Sequence, residues 1–238
     1  MPQYILQTQE LCKEFAHTAA VNRVSMNIQQ GDIYGFIGEN GAGKTTFMRM
    51  VAGLASPTSG TIKLFGQENL QAGRHHIGCT IENPALYKNM TARENLEIFR
   101  LAFGVKNAKS TDKVLSLMGL ADTGKKRVGD FSLGMKQRLA IAVALLGDPQ
   151  FLILDEPING LDPVGIQELR NLFVQLNREQ NITLLISSHI LGELSKIATR
   201  YGIIHKGSLV SELSANDLMD QCQRHLIIRT DCADKAVN

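Results

Sequence analysis

Long apolar runs are missing from this sequence of 238 residues. The longest, Leu139–Leu146, is far shorter than the roughly 20 residues that a membrane-spanning helix needs. The N-terminus also lacks the basic start, the apolar stretch and the small-residue cleavage site of a secretory signal. We therefore expect a cytoplasmic protein with no segment that crosses a membrane.

Cysteine is scarce, and the net charge is close to zero. The four cysteines, Cys12, Cys79, Cys222 and Cys232, form no C-x-x-C pair, which favours reduced thiols over disulfides or a zinc site. A net charge of +2 is too small to indicate nucleic acid as the main partner. Apolar residues make up 44% and charged residues 20% of the chain, so a compact globular fold is expected.

Short apolar runs alternate with amphipathic stretches, which predicts an α/β fold. The predicted strands are Tyr4–Leu11, Val21–Gln30, Ile33–Ile37, a pair beginning at Ser59-Gly60, Ile77–Ile81, Phe151–Leu154, Ile182–Ser187 and Gly202–His205. The predicted helices are Thr45 to about Leu54, Thr91–Phe103, Thr111–Met118, Ser132–Leu146, Val164–Asn177 and Ile190–Ala198. The first two strands, split by Lys13–Ala19, are expected to be antiparallel, and the later strand-helix-strand units predict a mostly parallel sheet.

Three successive predicted helices interrupt this alternation between about residues 86 and 147. We therefore expect a helical subdomain inserted into one domain that spans residues 1–238. Residues 206–238 are expected to contain C-terminal strands and a tail that frays after Thr230.

The strongest signal is Gly38–Thr45, which matches G-x-x-x-x-G-K-S/T between a predicted strand and a predicted helix. Its glycines allow the backbone N–H groups to wrap a phosphate chain at the positive end of a helix dipole. Lys44 adds a positive charge for the β and γ phosphates, and Thr45 offers a hydroxyl to Mg²⁺. The predicted nucleotide-binding residues of this region are Gly38, Asn40, Gly41, Ala42, Gly43, Lys44, Thr45 and Thr46.

Two acids directly follow the predicted buried strand Phe151–Leu154. The C-terminal edge of a parallel sheet is where ligands bind, so Asp155 is placed to hold Mg²⁺. Glu156 is then a candidate base that polarises a water for attack on the γ phosphate of ATP. Acids after a strand are often solvated turn residues, but a phosphate loop in the same sheet favours the catalytic interpretation. These features define the P-loop NTPases, a class that includes kinases and GTPases.

The segment Phe131–Arg138, F-S-L-G-M-K-Q-R, resembles the L-S-G-G-Q signature motif of the ABC ATPases, with matches at Ser132 and Gly134. Asn159–Pro163, which contains Asp162, resembles the D-loop of that family. A serine and a glycine at a helix start also form an anion site of their own.

Two further residues occupy family positions. His189 resembles the switch histidine that contacts the γ phosphate, although a lone histidine is usually structural. Phe15 stands where the family has an aromatic ring stacked on adenine, although it could also belong to the core. The resemblance covers Tyr4–Leu213, with the motifs in the family's order.

The resemblance implies an ATPase of the ABC type that binds ATP and Mg²⁺. In this family the signature motif completes the ATP site of a second subunit, which implies a head-to-tail homodimer with two ATP molecules between the copies. It also implies separate transmembrane permease subunits that hold the protein at the inner face of the cell membrane.

Departures from the family pattern indicate the subtype. Leu133 and Met135 replace a glycine and a glutamine of the signature motif, and Glu82 stands at the Q-loop glutamine. Glu82 could bind the metal or be a solvated loop acid. Glu82 together with S-L-G-M-K-Q-R-L resembles the ATPases of bacitracin-type and lantibiotic exporters, which protect cells from antimicrobial peptides. The alternatives are a soluble ABC ATPase of translation or DNA repair, an importer ATPase, and a P-loop kinase or GTPase.

Overall fold

The computed structural model of the chain describes residues 3–16, 18–82 and 86–221. The strands are β1 Tyr4–Phe15, β2 Thr18–Gln29, β3 Ile33–Ile37, β4 Ser59–Leu64, β5 Ile77–Thr80, β6 Phe151–Leu154, β7 Thr183–Ser188, β8 Arg200–His205 and β9 Ser208–Ser214. The helices are α1 Lys44–Ala52, α2 Leu70–Arg74, α3 Ala92–Ala102, α4 Lys109–Leu117, α5 Leu133–Leu145, α6 Pro163–Gln180, α7 Leu191–Leu194 and α8 Ala215–Gln221. Within these ranges no helix is long and apolar enough to cross a bilayer. Cys222, Cys232 and the tail after Thr230 lie outside the described residues.

A six-stranded sheet in the order β5-β6-β7-β3-β8-β9 forms the centre of the fold. Its first five strands are parallel, and β9 is antiparallel to β8, so the prediction of a mostly parallel sheet is confirmed. Successive side chains of β6 enter different cores, with Leu152 and Leu154 on one face and Phe151 and Ile153 on the other. This burial on both faces explains the uninterrupted apolar run of β6.

The second sheet is antiparallel, in the order β2-β1-β4. The antiparallel prediction is confirmed, but the break predicted over Lys13–Ala19 is wrong: β1 continues to Phe15, and β2 begins at Thr18. Register shifts along β1, one of them between Thr8 and Leu11, disturb the alternation of apolar and polar residues. The polar end of this hairpin therefore does not look like a strand in the sequence.

The strand pair predicted from Ser59-Gly60 is also wrong. Only β4 forms, and a tight turn with Phe65 and Gly66 at positive φ ends it. The chain then enters α2, whose start is capped by Asn69 Oδ1 accepting a hydrogen bond from Ala72 N at 3.3 Å. A helix of five residues is too short to show a periodic apolar face.

Helices α3, α4 and α5 follow the predicted order. The capping box predicted at Thr91 is present, since Thr91 Oγ1 accepts from Glu94 N and Glu94 Oε2 accepts from Thr91 N. Helix α5 ends against the central sheet, where a side chain at Gly78 would lie 2.2 Å from Ala144 O. This helix connects Ser132 at its start to the sheet at its end. The division into a helical subdomain over residues 86–147 stays a prediction.

Candidate active site

The loop between β3 and α1 forms a groove of about 170 Å³ lined by Asn40, Gly41, Gly43, Lys44, Thr45, Thr46, Ala20 and Glu156. Gly43 has a φ of 105°, and a Cβ there would lie 2.3 Å from Ala20 O, so only glycine fits. Two further predicted residues, Ala42 and Gly38, pack the loop against the rest of the protein. Ala42 is buried, and a Cβ on Gly38 would lie 2.5 Å from Ile204 O. The groove therefore exposes backbone N–H groups at the start of a helix, and such a surface suits a phosphate chain.

Lys44 is almost fully buried beneath this groove. Its Nζ donates to Gly38 O at 2.6 Å and to Glu39 O at 3.1 Å. It also lies 3.1 Å from Glu156 Oε1, forming an ion pair. Because the side chain is fixed at several points, its charge has a defined position in the groove.

Glu156 and His189, predicted from separate parts of the sequence, are in contact. His189 Nδ1 lies 2.8 Å from Glu156 Oε2, while the other carboxylate oxygen of Glu156 pairs with Lys44. Glu156 has a φ of 47°, in the left-handed region that side chains rarely adopt. The structure thus brings together the three predicted catalytic residues in one chain of contacts.

Ser187 was not predicted as a site residue, and it connects the two acids. Its Oγ donates to Asp155 Oδ1 at 2.6 Å and accepts from Glu156 N at 2.8 Å. The register pairs Leu154 of β6 with Ile186 of β7, so the next residue of each strand lies side by side. The sequence offered only a weak signal, because Ser187 ends the predicted strand Ile182–Ser187 two residues before the candidate catalytic His189.

The oxygen atoms of Thr45 and Asp155 form a suitable cation site. Thr45 Oγ1 donates to Asp155 Oδ2 at 2.7 Å, although the two residues are far apart in the sequence. Mg²⁺ prefers oxygen ligands and commonly takes only one or two from the protein, so this pair fits the ion.

Glu82, the third predicted metal ligand, pairs with a cation of the protein. Its carboxylate pairs with Arg49 of α1 at 3.2 Å, and its backbone has a φ of 64°. No hydrogen bond or ion pair joins Glu82 to Thr45 or Asp155 in the described part of the chain, and its role as a metal ligand stays a prediction.

A second concave surface, of about 560 Å³, contains Ser132, Gly134 and Asp162. Ser132 caps α5 by accepting from Met135 N at 3.2 Å, and Asp162 caps α6 by accepting from Gly165 N at 3.0 Å. Its lining residues include none of those that line the phosphate groove. Within the described ranges, these predicted nucleotide contacts thus lie on a surface apart from Lys44.

Phe15 lies at the exposed end of the β1–β2 hairpin, with its ring 54% accessible to solvent. Lys13 Nζ lies 5.0 Å from the ring centroid. The exposure excludes the alternative that Phe15 belongs to the core. Ala20 of the same hairpin lines the phosphate groove, so this hairpin carries both Phe15 and a residue of the groove.

The family model for the ABC transporter matches residues 21–159, which is more than half of the chain. The bacitracin transport ATP-binding protein BcrA of Bacillus licheniformis is 47% identical over 236 residues, covering 98% of this chain and 77% of the relative. The lantibiotic transport ATP-binding protein SrtF of Streptococcus pyogenes is 43% identical over 208 residues, covering 87% of this chain and 90% of the relative.

A solved structure from Clostridium perfringens, cbiO1, described as part of the ABC transporter complex cbiONQ, has the same fold. It superposes with a TM-score of 0.83 at 27% identity and covers 92% of both chains. The predicted fold class and the predicted family are both confirmed. The chain belongs to the ABC transporter family, as one of its ATP-binding and ATP-hydrolysing subunits.

Proposed function

We propose that this subunit hydrolyses ATP as half of a head-to-tail homodimer that drives a peptide exporter. The observation that carries the dimer is the separation of two half-sites on one chain. One surface carries the phosphate loop and Glu156, and another carries Ser132, Gly134 and Asp162. A second copy turned head to tail would place each half-site of one chain against the complementary half-site of the other.

Three side chains carry the hydrolysis in this proposal. Glu156 accepts the proton of the attacking water, and its contact with His189 orients the carboxylate. Lys44 balances negative charge on the β and γ phosphates. His189 also lies beside the groove, where it would contact the γ phosphate. The pairing of Glu156 with both Lys44 and His189 supports this division of roles.

Thr45 and Asp155 are the residues that would hold Mg²⁺, with Glu82 as a candidate third ligand. When bound, the ion neutralises charge that develops on the phosphate oxygens. Ser187 keeps Asp155 in the orientation needed for this, through its hydrogen bond to Oδ1. Phe15 is proposed to stack on adenine, because it is exposed, lies on the same hairpin as the groove residue Ala20, and offers a flat apolar surface.

The transported substrate is proposed to be an antimicrobial peptide of the bacitracin or lantibiotic class. BcrA and SrtF, at 47% and 43% identity, carry those substrates in their names. Separate permease subunits would form the transport path and hold this subunit at the inner face of the membrane.

An exposed aromatic surface supports contact with such a permease. Tyr87 and Phe103 are exposed, and each ring lies close to Phe99, with centroid distances of 6.3 and 5.9 Å. Buried Asn95 fixes the backbone of Tyr87 by accepting from its N at 2.8 Å and donating to its O at 3.1 Å. Tyr87 also lies five residues after Glu82, the candidate third metal ligand, in the sequence.

Sedimentation of a Glu156→Gln variant tests the dimer. The variant is expected to bind ATP without cleaving it and to sediment as a dimer only with ATP and Mg²⁺. Adding Ser132→Arg should return it to a monomer while ATP binding persists, whereas Lys113→Ala, at an exposed side chain of α4, should leave the dimer intact. A double variant with Ser132→Arg that still dimerises would refute the head-to-tail arrangement.

Export is tested by isolating the chain from native membranes and identifying its partners by mass spectrometry. We expect an exporter-type permease, and bacteria expressing both proteins should survive higher concentrations of bacitracin or a lantibiotic. Co-purification with importer permeases alone, or with no membrane protein, would contradict the exporter assignment and favour one of the alternatives.

A further inference from the structure

An ion pair with a buried arginine joins α6 to α7, and neither of its residues lines the groove. Arg170 of α6 is only 6% exposed, and its Nη1 lies 3.3 Å from Glu193 Oε2 of α7. Its Nη2 donates to Gln167 Oε1 at 3.0 Å, which fixes the plane of the guanidinium. Nε and Nη1 make no hydrogen bond to any residue in the described part of the chain. Glu193 is therefore the charged partner of Arg170.

Stability alone does not explain this pair. Burying the charge of Arg170 and partly burying that of Glu193 costs free energy, and well-packed apolar residues at such positions are often as stable or more stable. Leu169, Leu172 and Phe173 surround Arg170 in sequence and are all buried, so an apolar side chain would suit the same helix face. A pair of charges differs from an apolar contact in fixing one relative position of the two helices.

That position matters because α7 begins two residues after His189. Ser188 Oγ accepts from Ile190 N at 2.9 Å, and Leu194 is fully buried, so the segment from His189 to α7 is short and held at both ends. A shift of α7 would therefore move the imidazole relative to Glu156.

We propose that Arg170 is a positioning residue of the ATPase reaction. Through Glu193 it fixes α7 against α6, and this holds His189 Nδ1 at 2.8 Å from Glu156 Oε2. The inference rests on the catalytic roles proposed above for His189 and Glu156. It adds a residue that lines neither the phosphate groove nor the surface of Ser132 and is expected to act on the rate of hydrolysis.

Two variants of the full chain test it. Arg170→Met leaves Glu193, whose side chain is 25% exposed, able to reach water, so this variant should fold. Arg170→Met with Glu193→Leu removes both charges and should keep the parent melting temperature. In both, kcat at saturating ATP is expected to fall about 10- to 100-fold, because a catalytic group displaced by about 1 Å loses that much rate. The Kd for a fluorescent ADP analogue should change less than about twofold, because ADP lacks the γ phosphate that His189 is proposed to contact.

A purely structural pair would behave differently, since the double variant would recover the parent kcat once both charges are gone. Parent kcat in either folded variant overturns the proposal. Arg170→Lys keeps the charge and should recover part of the rate. As a matched control, Arg100→Met with Glu97→Leu removes another pair with a largely buried arginine, at 12% exposure, and should leave kcat unchanged.

His189→Ala and Glu156→Gln are measured in the same series. If both retain the parent rate, the proposed catalytic roles are wrong. If both lose activity while the double variant keeps it, only the positioning role of Arg170 is wrong.

Discussion

Replacing Ser187 with alanine is expected to disturb both acids of the active site together. Ser187 Oγ donates to Asp155 Oδ1 and accepts from Glu156 N, so one substitution removes two hydrogen bonds. A lost bond to a carboxylate costs about 1.5–3 kcal/mol, and a backbone N–H without an acceptor costs about 1–3 kcal/mol. Asp155 keeps its bond from Thr45, which limits the total to about 2–4 kcal/mol of unfolding free energy.

For a chain of this size, that loss lowers the melting temperature by about 5–15 °C. The rate of ATP hydrolysis should fall about 10- to 100-fold, because both carboxylates lose the contact that orients them. Calorimetry and a phosphate-release assay at saturating ATP measure the two effects separately.

Thr183→Val provides the matched control on the same strand. Thr183 is fully buried, and its Oγ1 accepts from Gly31 N at 3.0 Å, at the opposite end of β7. Ser187 lies about 13 Å further along the strand. The control should lose about 1–2 kcal/mol of stability while its kcat stays at the parent value. If Ser187→Ala also kept the parent kcat, the argument that this hydroxyl orients the acids would be refuted.

Three further substitutions test other parts of the molecule. Lys44→Ala should weaken ATP binding at least about 100-fold, because no other side chain in the described groove supplies a cation, and undiminished binding of a fluorescent nucleotide would contradict the phosphate-loop assignment. Glu156→Gln should bind ATP yet hydrolyse it at least about 100-fold more slowly, and a parent rate in the phosphate-release assay would show that Glu156 is not the base. Burial, and then the nearby Glu212, raise the pKa of Tyr34 far above its usual value of about 10, so the folded chain keeps a proton that the unfolded chain releases. Tyr34 should therefore lower the free energy of unfolding above about pH 10, by up to about 1.4 kcal/mol per pH unit, and Tyr34→Phe should make the dependence measured in urea titrations less steep.

The fold was predictable wherever one local signal dominated. The run Phe151–Leu154 predicted a buried strand and Thr91 with Glu94 predicted a capping box, and both are present. The failures came where tertiary contacts override local pattern. Register shifts disturb the alternation of apolar and polar residues at the polar end of the β1–β2 hairpin. Helix α2 is stabilised by the Asn69 cap and is too short to show a periodic apolar face.

The site residues were predictable where a motif specifies backbone geometry. Gly43 needs a positive φ and tolerates no side chain, so the pattern itself indicates the loop. Glu82 is not specified in this way. Its side chain pairs with Arg49 of α1, and its role as a metal ligand stays a prediction because no backbone geometry of the motif fixes the direction of a loop carboxylate.

Ser187 could not be assigned from sequence because its importance depends on strand order. The phosphate loop follows β3 and the two acids follow β6, and the sheet inserts β7 between these strands. The parallel register then sets Ser187 beside Asp155, and it brings Ser188 O within 3.2 Å of Gly38 N at the start of the phosphate loop. The end of β7 therefore lies beside both the phosphate loop and the two acids, which favours small polar side chains at this end. The order of strands follows from contacts between residues far apart in the chain. For this reason the C-terminal end of the strand between two motif-bearing strands is where unrecognised site residues of such folds are to be sought.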